Sequence, residues 1–564
     1  MARNNKNRKR DLFQLLLVLV TVALFNLISA HWFFRWDLTA DKRYTISPVT
    51  VNLMKQLDKE VMVKIYLGGD LTVDFQRLSR ATREMLDEVG RFSGASFTYE
   101  MIDPIKEPQA LSDLKDFGLS PVPVFDTEAD GRKTQFNIYP YAIFGMDGYQ
   151  VSVSLLDNLS GRSGVENINS SMETLEYKIV DAIRRLKTSE TPSVAFLEGQ
   201  SELDELDVYD ITEALSQYFQ IDRGVLGRDA HSLDHYKVVI VAKPQSAFSE
   251  KDKLILDQYI MRGGRVLWLV DAVNVTLDSL RLSTETVGLA TDINISDMLF
   301  RYGVRINPEL VQDVQSALIP VNVSEPGEAA QLEPMPWMFN PLLNTNLQHP
   351  VTRNVNVVKA EFASSIDTVG QNDVSKTVLL RTSRFSRRMP VPVFISLAMV
   401  RERPVPEAFN QSGIPVAVAL EGHFQSLFAN RPIPPGVDFS AEELIKNSKA
   451  TRMIVVADGD VIRNEVRQRH GAQPKVIPLG YDELSHQVFG NKQFIVNAVN
   501  YLADDEGWMA LRNRSYALRL LNREVLANRL TFWKWFNVAL PLLLLLILGV
   551  IIPLRRRYKF GRKS

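Results

Sequence analysis

The chain has 564 residues, and its 65 basic and 66 acidic residues leave a formal net charge of −1. So even a balance, with no basic face to neutralise phosphates, argues against a nucleic-acid partner. The complete lack of cysteine removes disulfides, thiolate zinc sites, a cysteine nucleophile and lipidated cysteine anchors together.

Residues 1–11 read as a basic cytoplasmic tail, with five basic and no acidic residues in Met1–Arg10. Leu12–Phe34 follows without a formal charge and, as a helix, reaches ~34 Å, enough to cross a hydrocarbon core. It is longer than the apolar part of a secretory signal, and Ile28-Ser29-Ala30 is a poor cleavage site, so a retained anchor is expected. Phe536–Leu554 is a second apolar run, preceded by Trp533 and Trp535 and followed by the basic tail 555–564. The N-terminal charge asymmetry and two spans predict cytoplasmic termini and a large region on the far side of the membrane.

Ser47-Pro48 is a good helix start, with a serine oxygen for the free N–H groups. Val61–Leu67 and Ser96–Ile102 read as strands around a helix between Thr72 and Phe92, which suggests a parallel pair. Asn137–Gly145 and Val151–Leu156 add strands. Ile168, Met172, Leu175, Ile179, Ala182 and Leu186 predict one helix over Asn167–Lys187. Residues 35–190 are thus read as a small α/β domain.

From Ser193 the rhythm is strand, helix, strand: Ser193–Gly199, Asp207–Phe219, Tyr236–Ala242, Ser249–Met261 and Arg265–Asp271. Uninterrupted apolar strands between helices predict a parallel sheet. Residues 191–271 form its first part, 272–445 a strand- and loop-rich region, and 446–509 the return, with strand Met453–Asp458 and helix Lys492–Leu502. Residues 510–535 hold a basic amphipathic helix, Arg512–Leu530, before the second span. Ligands in such sheets gather at C-terminal strand ends, here Glu198-Gly199-Gln200, Lys243-Pro244 and Asp271.

Along nearly its whole length the sequence resembles the gliding-motility-associated ABC transporter auxiliary family, GldG. The resemblance is carried by DLTADKRYTIS (37–47), LFRYGVRINPELVQD (299–313), HPVTRNV (349–355), EFASSID (361–367), KTVLLRTS (376–383), DGDVIRN (458–464) and FGNKQFIVNAVNYLADDEG (489–507). It implies an extracytoplasmic, substrate-binding-like subunit working with a separate permease and a cytoplasmic ATPase. It also implies an amidotransferase-like, flavodoxin-like parallel-sheet domain of the kind found in some ciliary transport proteins. The fold class expected is therefore α/β and multi-domain, flanked by two transmembrane helices. The resemblance supplies no catalytic residues.

The residues agree on chemistry. No Gly-Lys dipeptide occurs, so no GxxxxGK[ST] phosphate loop exists and ATP hydrolysis falls to a partner. The cysteine nucleophile usual for the amidotransferase-like superfamily is missing, and no GxSxG elbow replaces it. His231 and His235 have metal-pair spacing but lack the HExxH glutamate. Asp458 and Asp460 flank Gly459 at a strand end, where a turn is the ordinary role. No catalytic, cofactor-binding or metal-binding residue is expected, and the functional positions named are the span ends Leu12, Phe34, Phe536 and Leu554. The expected function is non-enzymatic coupling or scaffolding; a solute-binding subunit and a structural scaffold of the motility machinery are the alternatives.

Overall fold

The computed structural model describes residues 13–22, 24, 45–127, 133–187, 191–324, 331–370, 374–467, 471, 473–513 and 529–560. The chain divides into two units, Tyr44–Arg514 and the two terminal segments Met1–Arg43 with Ser515–Ser564.

The large unit opens with α1 (Pro48–Lys55), β1 (Val61–Ile65), α2 (Val73–Gly90) and β2 (Phe97–Met101). β1 and β2 pair in parallel as the pattern predicts. Ser47 does not cap α1 with its side chain. The buried Glu176 carboxylate does this from a distant helix, accepting from Ser47 N–H at 2.8 Å and Thr50 Oγ1 at 2.6 Å. The predicted strand Asn137–Gly145 is two strands. Lys133–Ile138 pairs with Val122–Thr127, and β3 (Tyr141–Met146) joins β1 and β4 (Tyr149–Ser154). Pro140, which has no N–H to give a ladder, lies at the break.

The predicted Asn167–Lys187 helix is likewise two, α3 (Gly164–Glu173) and α4 (Leu175–Lys187). Thr174 separates them: its hydroxyl lies 3.3 Å from Ser170 O, 3.1 Å from Ser171 O and 2.9 Å from Asp157 Oδ2. Such back-bonding competes with the helical ladder. The apolar stripe survives the break, because Ile168, Leu175, Ile179, Ala182 and Leu186 all enter one core cluster.

The central feature is a ten-stranded mixed sheet. Its parallel part is β5 (Ser193–Glu198), β6 (Gln220–Val225), β7 (Tyr236–Ala242) and β8 (Val266–Leu269), with a fifth strand supplied near the end of the chain. Between β5 and β6 runs α5 (Tyr209–Ser216), and between β7 and β8 runs α6 (Glu250–Met261). β6 was invisible in the sequence, since QIDRGV is a polar edge strand without an apolar run. After β8 come α7 (Ser296–Tyr302), β9 (Val304–Ile306), β10 (Ser316–Asn322), β11 (Leu332–Thr345), β12 (Val374–Arg381), β13 (Pro415–Gly422) and β14 (Thr451–Val456). The strand order is β10-β11-β12-β13-β14-β8-β7-β5-β6, with Val358–Lys359 on β11.

β14 returns parallel to β8, as expected from MIVVAD. Residues 272–445 are strand-rich as expected, but the expectation of a purely parallel sheet is corrected here. β10 to β13 add to the same sheet, and every pairing from β14 outward through them is antiparallel. β10 and β11 carry prolines and part-exposed positions, and β12 has the polar Ser375-Lys376-Thr377 near its start, so these three lack the uninterrupted apolar run of a parallel strand. β13 has such a run, buried from Val416 to Leu420, and joins β14 antiparallel. α8 (Asn491–Ala503) is the expected packing helix, and it lies on β7, β8 and β14.

In the terminal unit, α9 (Leu530–Phe560) contains the predicted span Phe536–Leu554 whole, with Pro541 and Pro553 inside it. Its stretch Leu530–Arg555 is long and apolar enough to cross a membrane. Of the first predicted span, Phe13–Val22 is a short apolar helix. Leu12 and Phe34 lie outside the described residues, as does most of Arg512–Leu530; within it, Trp508–Asn513 ends as a buried 3-10 turn.

Candidate functional site at the strand ends

Three neighbouring parallel strands deliver charged residues to one place. Lys243 follows β7 directly, Asp271 lies two residues past β8, and Asp458 and Asp460 follow β14. Lys243 Nζ is 2.5 Å from Asp460 Oδ2 and 3.2 Å from Asp271 Oδ2. Asp271 also accepts from Gly459 N–H at 2.5 Å, and Asp458 accepts from Asp460 N–H and Glu361 N–H, both at 2.7 Å.

Backbone shape makes the centre possible. Lys243 has φ +56°, an unfavourable conformation for a non-glycine residue, while its N–H is held by Leu269 O at 2.8 Å. Gly459 packs against it so closely that a Cβ there would lie 2.6 Å from Lys243 Cβ and 3.0 Å from its Cα. Only glycine admits the lysine.

The carboxylate oxygens of Asp271, Asp458 and Asp460 lie within 4.8 Å of one another, a spacing that could hold a cation. The cation among them is the Lys243 ammonium. Burial pushes the Asp271 carboxyl up to about 6, with Lys243 opposing and Asp460 reinforcing the shift. Burial, then the charges of Asp460 and Asp271, holds Asp458 well above the usual range. Burial works against the Lys243 charge, but Asp460 and Asp271 outweigh it and raise its pKa.

Glu361 and Arg463 complete the group. Arg463 reaches Asp207 at 3.2 Å, Asp460 at 3.6 Å and Asp278 at 3.7 Å. Glu361, Asp460 and Arg463 line a cleft of about 270 Å³ together with Lys359, Asn464 and Tyr481. Burial first, then Asp460, pushes Glu361 up to about 7. Neither residue had a spacing signal, since each comes from an irregular segment; both do fall in the family-like blocks EFASSID and DGDVIRN.

A carboxyl raised in the folded state binds its proton at higher pH folded than unfolded. Its cost is therefore absent below about pH 4.5, grows towards pH 7 and is complete above. Glu361→Gln is expected to raise the melting midpoint over wild type at pH 8, with the gain vanishing near pH 4.5. A lower midpoint at pH 8 would show that Glu361 is held as a favourable carboxylate.

Other sequence candidates lie elsewhere. His231 Nδ1 meets Asp234 at 2.7 Å and its Nε2 lies 3.7 Å from Glu443; His235 packs on Tyr236 with ring centroids 3.8 Å apart. The Glu198-Gly199-Gln200 loop joins the β7 loop: Gln245 and Ser246 N–H donate to Gln200 O at 2.8 and 2.9 Å, and Leu203 N–H donates to Ala242 O at 3.0 Å. Ser201 and Ser246 hydroxyls meet at 3.0 Å. This closes the crevice between β5 and β7, where strand order reverses and doubly wound sheets usually admit ligands.

Residues 191–498 match the family described as ABC-type uncharacterized transport system, which is more than half of the chain. The chain belongs to this ABC transporter auxiliary family. In the auxiliary protein, residues 40–145 also match a domain of unknown function, DUF7088. No curated protein matches the chain. Among solved structures, the mmIFT52 N-terminal domain aligns at 11% identity over 55% of this chain and 98% of that one, with a TM-score of 0.31, a likeness too distant to carry fold or function. The family's range includes the strand-end centre, β5 to β14 and most of α8. The matched family is broader than the gliding-motility one that the sequence blocks suggest.

Proposed function

We propose that this auxiliary protein is a non-enzymatic subunit, anchored in the inner membrane through Leu12–Phe34 and Phe536–Leu554, that couples or scaffolds a separate permease and ATPase. Both termini are cytoplasmic in this reading, the region between is periplasmic, and the transporter serves gliding motility. The observation that carries it is the closed strand-end crevice. Where a doubly wound sheet would hold a solute or reacting group, Gln200 ties the β5 loop to the β7 loop, and Lys243 fills the neighbouring carboxylate cluster. The absence of a phosphate loop assigns nucleotide hydrolysis to a partner.

The test is purification of the tagged full chain from its native membranes in mild detergent. A polytopic permease and a P-loop ATPase should co-purify, while the chain alone should hydrolyse no ATP. Purification as a lone protein, or ATP turnover retained through further polishing, would overturn the reading. Topology is read separately with single cysteines placed at the exposed Ser283 and at Ser564 in this cysteine-free chain. An impermeant maleimide should label only the first in intact spheroplasts; equal labelling would exclude the topology. A periplasmic solute-binding role is the second reading, and one observation favours it: a separate large cleft at the end of β8.

A further inference from the structure

That cleft, of about 1030 Å³, opens where Val270, Asp271 and Ala272 leave β8, and α7 and β9 supply another part of its lining. Ile293, Ile295, Leu299, Ile306 and Leu427 give it apolar walls, and Phe300 in the same lining is 58% exposed. This is the upper end of the size that small-molecule sites show, roughly 300–1,000 Å³.

Its lining holds three aspartates and three arginines, but they are unevenly paired. Asp271 is taken up by Lys243 at 3.2 Å, and Asp297 by Lys253 at 2.9 Å and Arg431 at 2.7 Å. What remains is Asp292, which accepts Asn294 N–H at 3.1 Å, against Arg301 and Arg305. Both arginines are exposed, and among the described residues neither side chain has a hydrogen bond or an ion pair, although Arg305 lies opposite Asp367 in the β9 ladder. Two free guanidinium forks beside an apolar wall match a planar or tetrahedral anionic head on an apolar body.

We propose that this cleft binds a soluble organic anion, a carboxylate or phosphate monoester, with its head on Arg301 and Arg305 and its apolar part against Ile293, Ile306 and Phe300. The site stands whether that anion is cargo or effector, and so does not depend on the coupling reading.

The full chain in phosphatidylcholine nanodiscs is titrated calorimetrically with phenyl phosphate, phenol, inorganic phosphate and benzyltrimethylammonium. Phenyl phosphate should bind saturably at one site, phenol and phosphate about tenfold or more weakly, and the cation not at all. Arg301→Gln and Arg305→Gln should each weaken phenyl phosphate by about tenfold, and Arg301→Lys by less. No saturable binding of phenyl phosphate, equal binding of benzyltrimethylammonium, or undiminished binding by the double glutamine variant would each overturn the site. Loss of phenyl phosphate binding when phosphatidylglycerol replaces the neutral lipid would give the cleft to a lipid headgroup and overturn the soluble source. The wild-type comparisons need no variant, so a misfolded substitution leaves the test intact.

Discussion

Lys243→Met is expected to destabilise the large unit by about 3–5 kcal/mol at pH 8, the cost of removing one partner from a buried charge cluster. The Lys243 side chain is only 6% exposed and stands between Asp271 and Asp460, whose side chains are 14% and 7% exposed. Without the ammonium, Asp460 keeps Arg463 at 3.6 Å, while Asp271 and Asp458 keep no ion pair among the described residues. The methionine has similar length, so packing beside Gly459 is largely preserved and the loss reports charge. Acidification supplies the control. As pH falls from 8 to 5 the cluster takes up protons more readily in the variant, so the deficit should shrink. Chemical denaturation at both pH values measures this, and a deficit below about 1 kcal/mol at pH 8 would mean the ion pairs are offset by desolvation alone. Lys243→Gly separates backbone from charge. It relieves the positive φ of +56° yet should still destabilise.

Arg512→Ala should cost about 3 kcal/mol, because it strips charge-assisted hydrogen bonds from two backbone carbonyls and removes a cation–π contact. Arg512, 6% exposed, donates from Nε to Pro350 O at 2.8 Å and from Nη2 to Arg353 O at 2.7 Å. Its guanidinium lies 4.9 Å from the Tyr177 ring, which stacks on Trp508 at 5.5 Å; Arg184 covers that indole at 4.2 Å. This column fastens the last described turn before residue 514 to α4, far earlier in the chain. Thermal melting should fall, and limited proteolysis should cleave around 508–513 earlier than in wild type. Arg512→Lys should recover less than half, since one ammonium cannot reproduce the two-carbonyl fork. An unchanged melting midpoint in the alanine variant would show that the turn is held by Trp508 and Leu511 burial.

The local pattern alone determined the elements whose burial is uniform along the strand or periodic along the helix. Tyr236–Ala242 appears with the predicted bounds, Met453–Asp458 returns parallel to β8, and Asn491–Ala503 is the packing helix. Strand ends are likewise legible once strands are, which is why Lys243, Asp271, Asp458 and Asp460 could be singled out as residues. Missing cysteine and missing Gly-Lys are properties of composition and needed no fold.

Tertiary structure decided the rest, where the cause lies in a distant partner. Glu176 caps a helix more than a hundred residues earlier, and Thr174 breaks a continuous apolar stripe through a hydroxyl that also meets Asp157. β10 and β11 join the sheet by antiparallel pairing of segments whose prolines and mixed faces hide them, whereas Thr377–Leu380 and Val416–Leu420 read as strands and only their membership of this sheet needed the fold. The meeting of Glu361 and Arg463 with the strand-end aspartates, and the closure of the β5–β7 crevice by Gln200, are contacts between loops. Loops carry no periodicity, so their placement follows only from the scaffold that holds their ends.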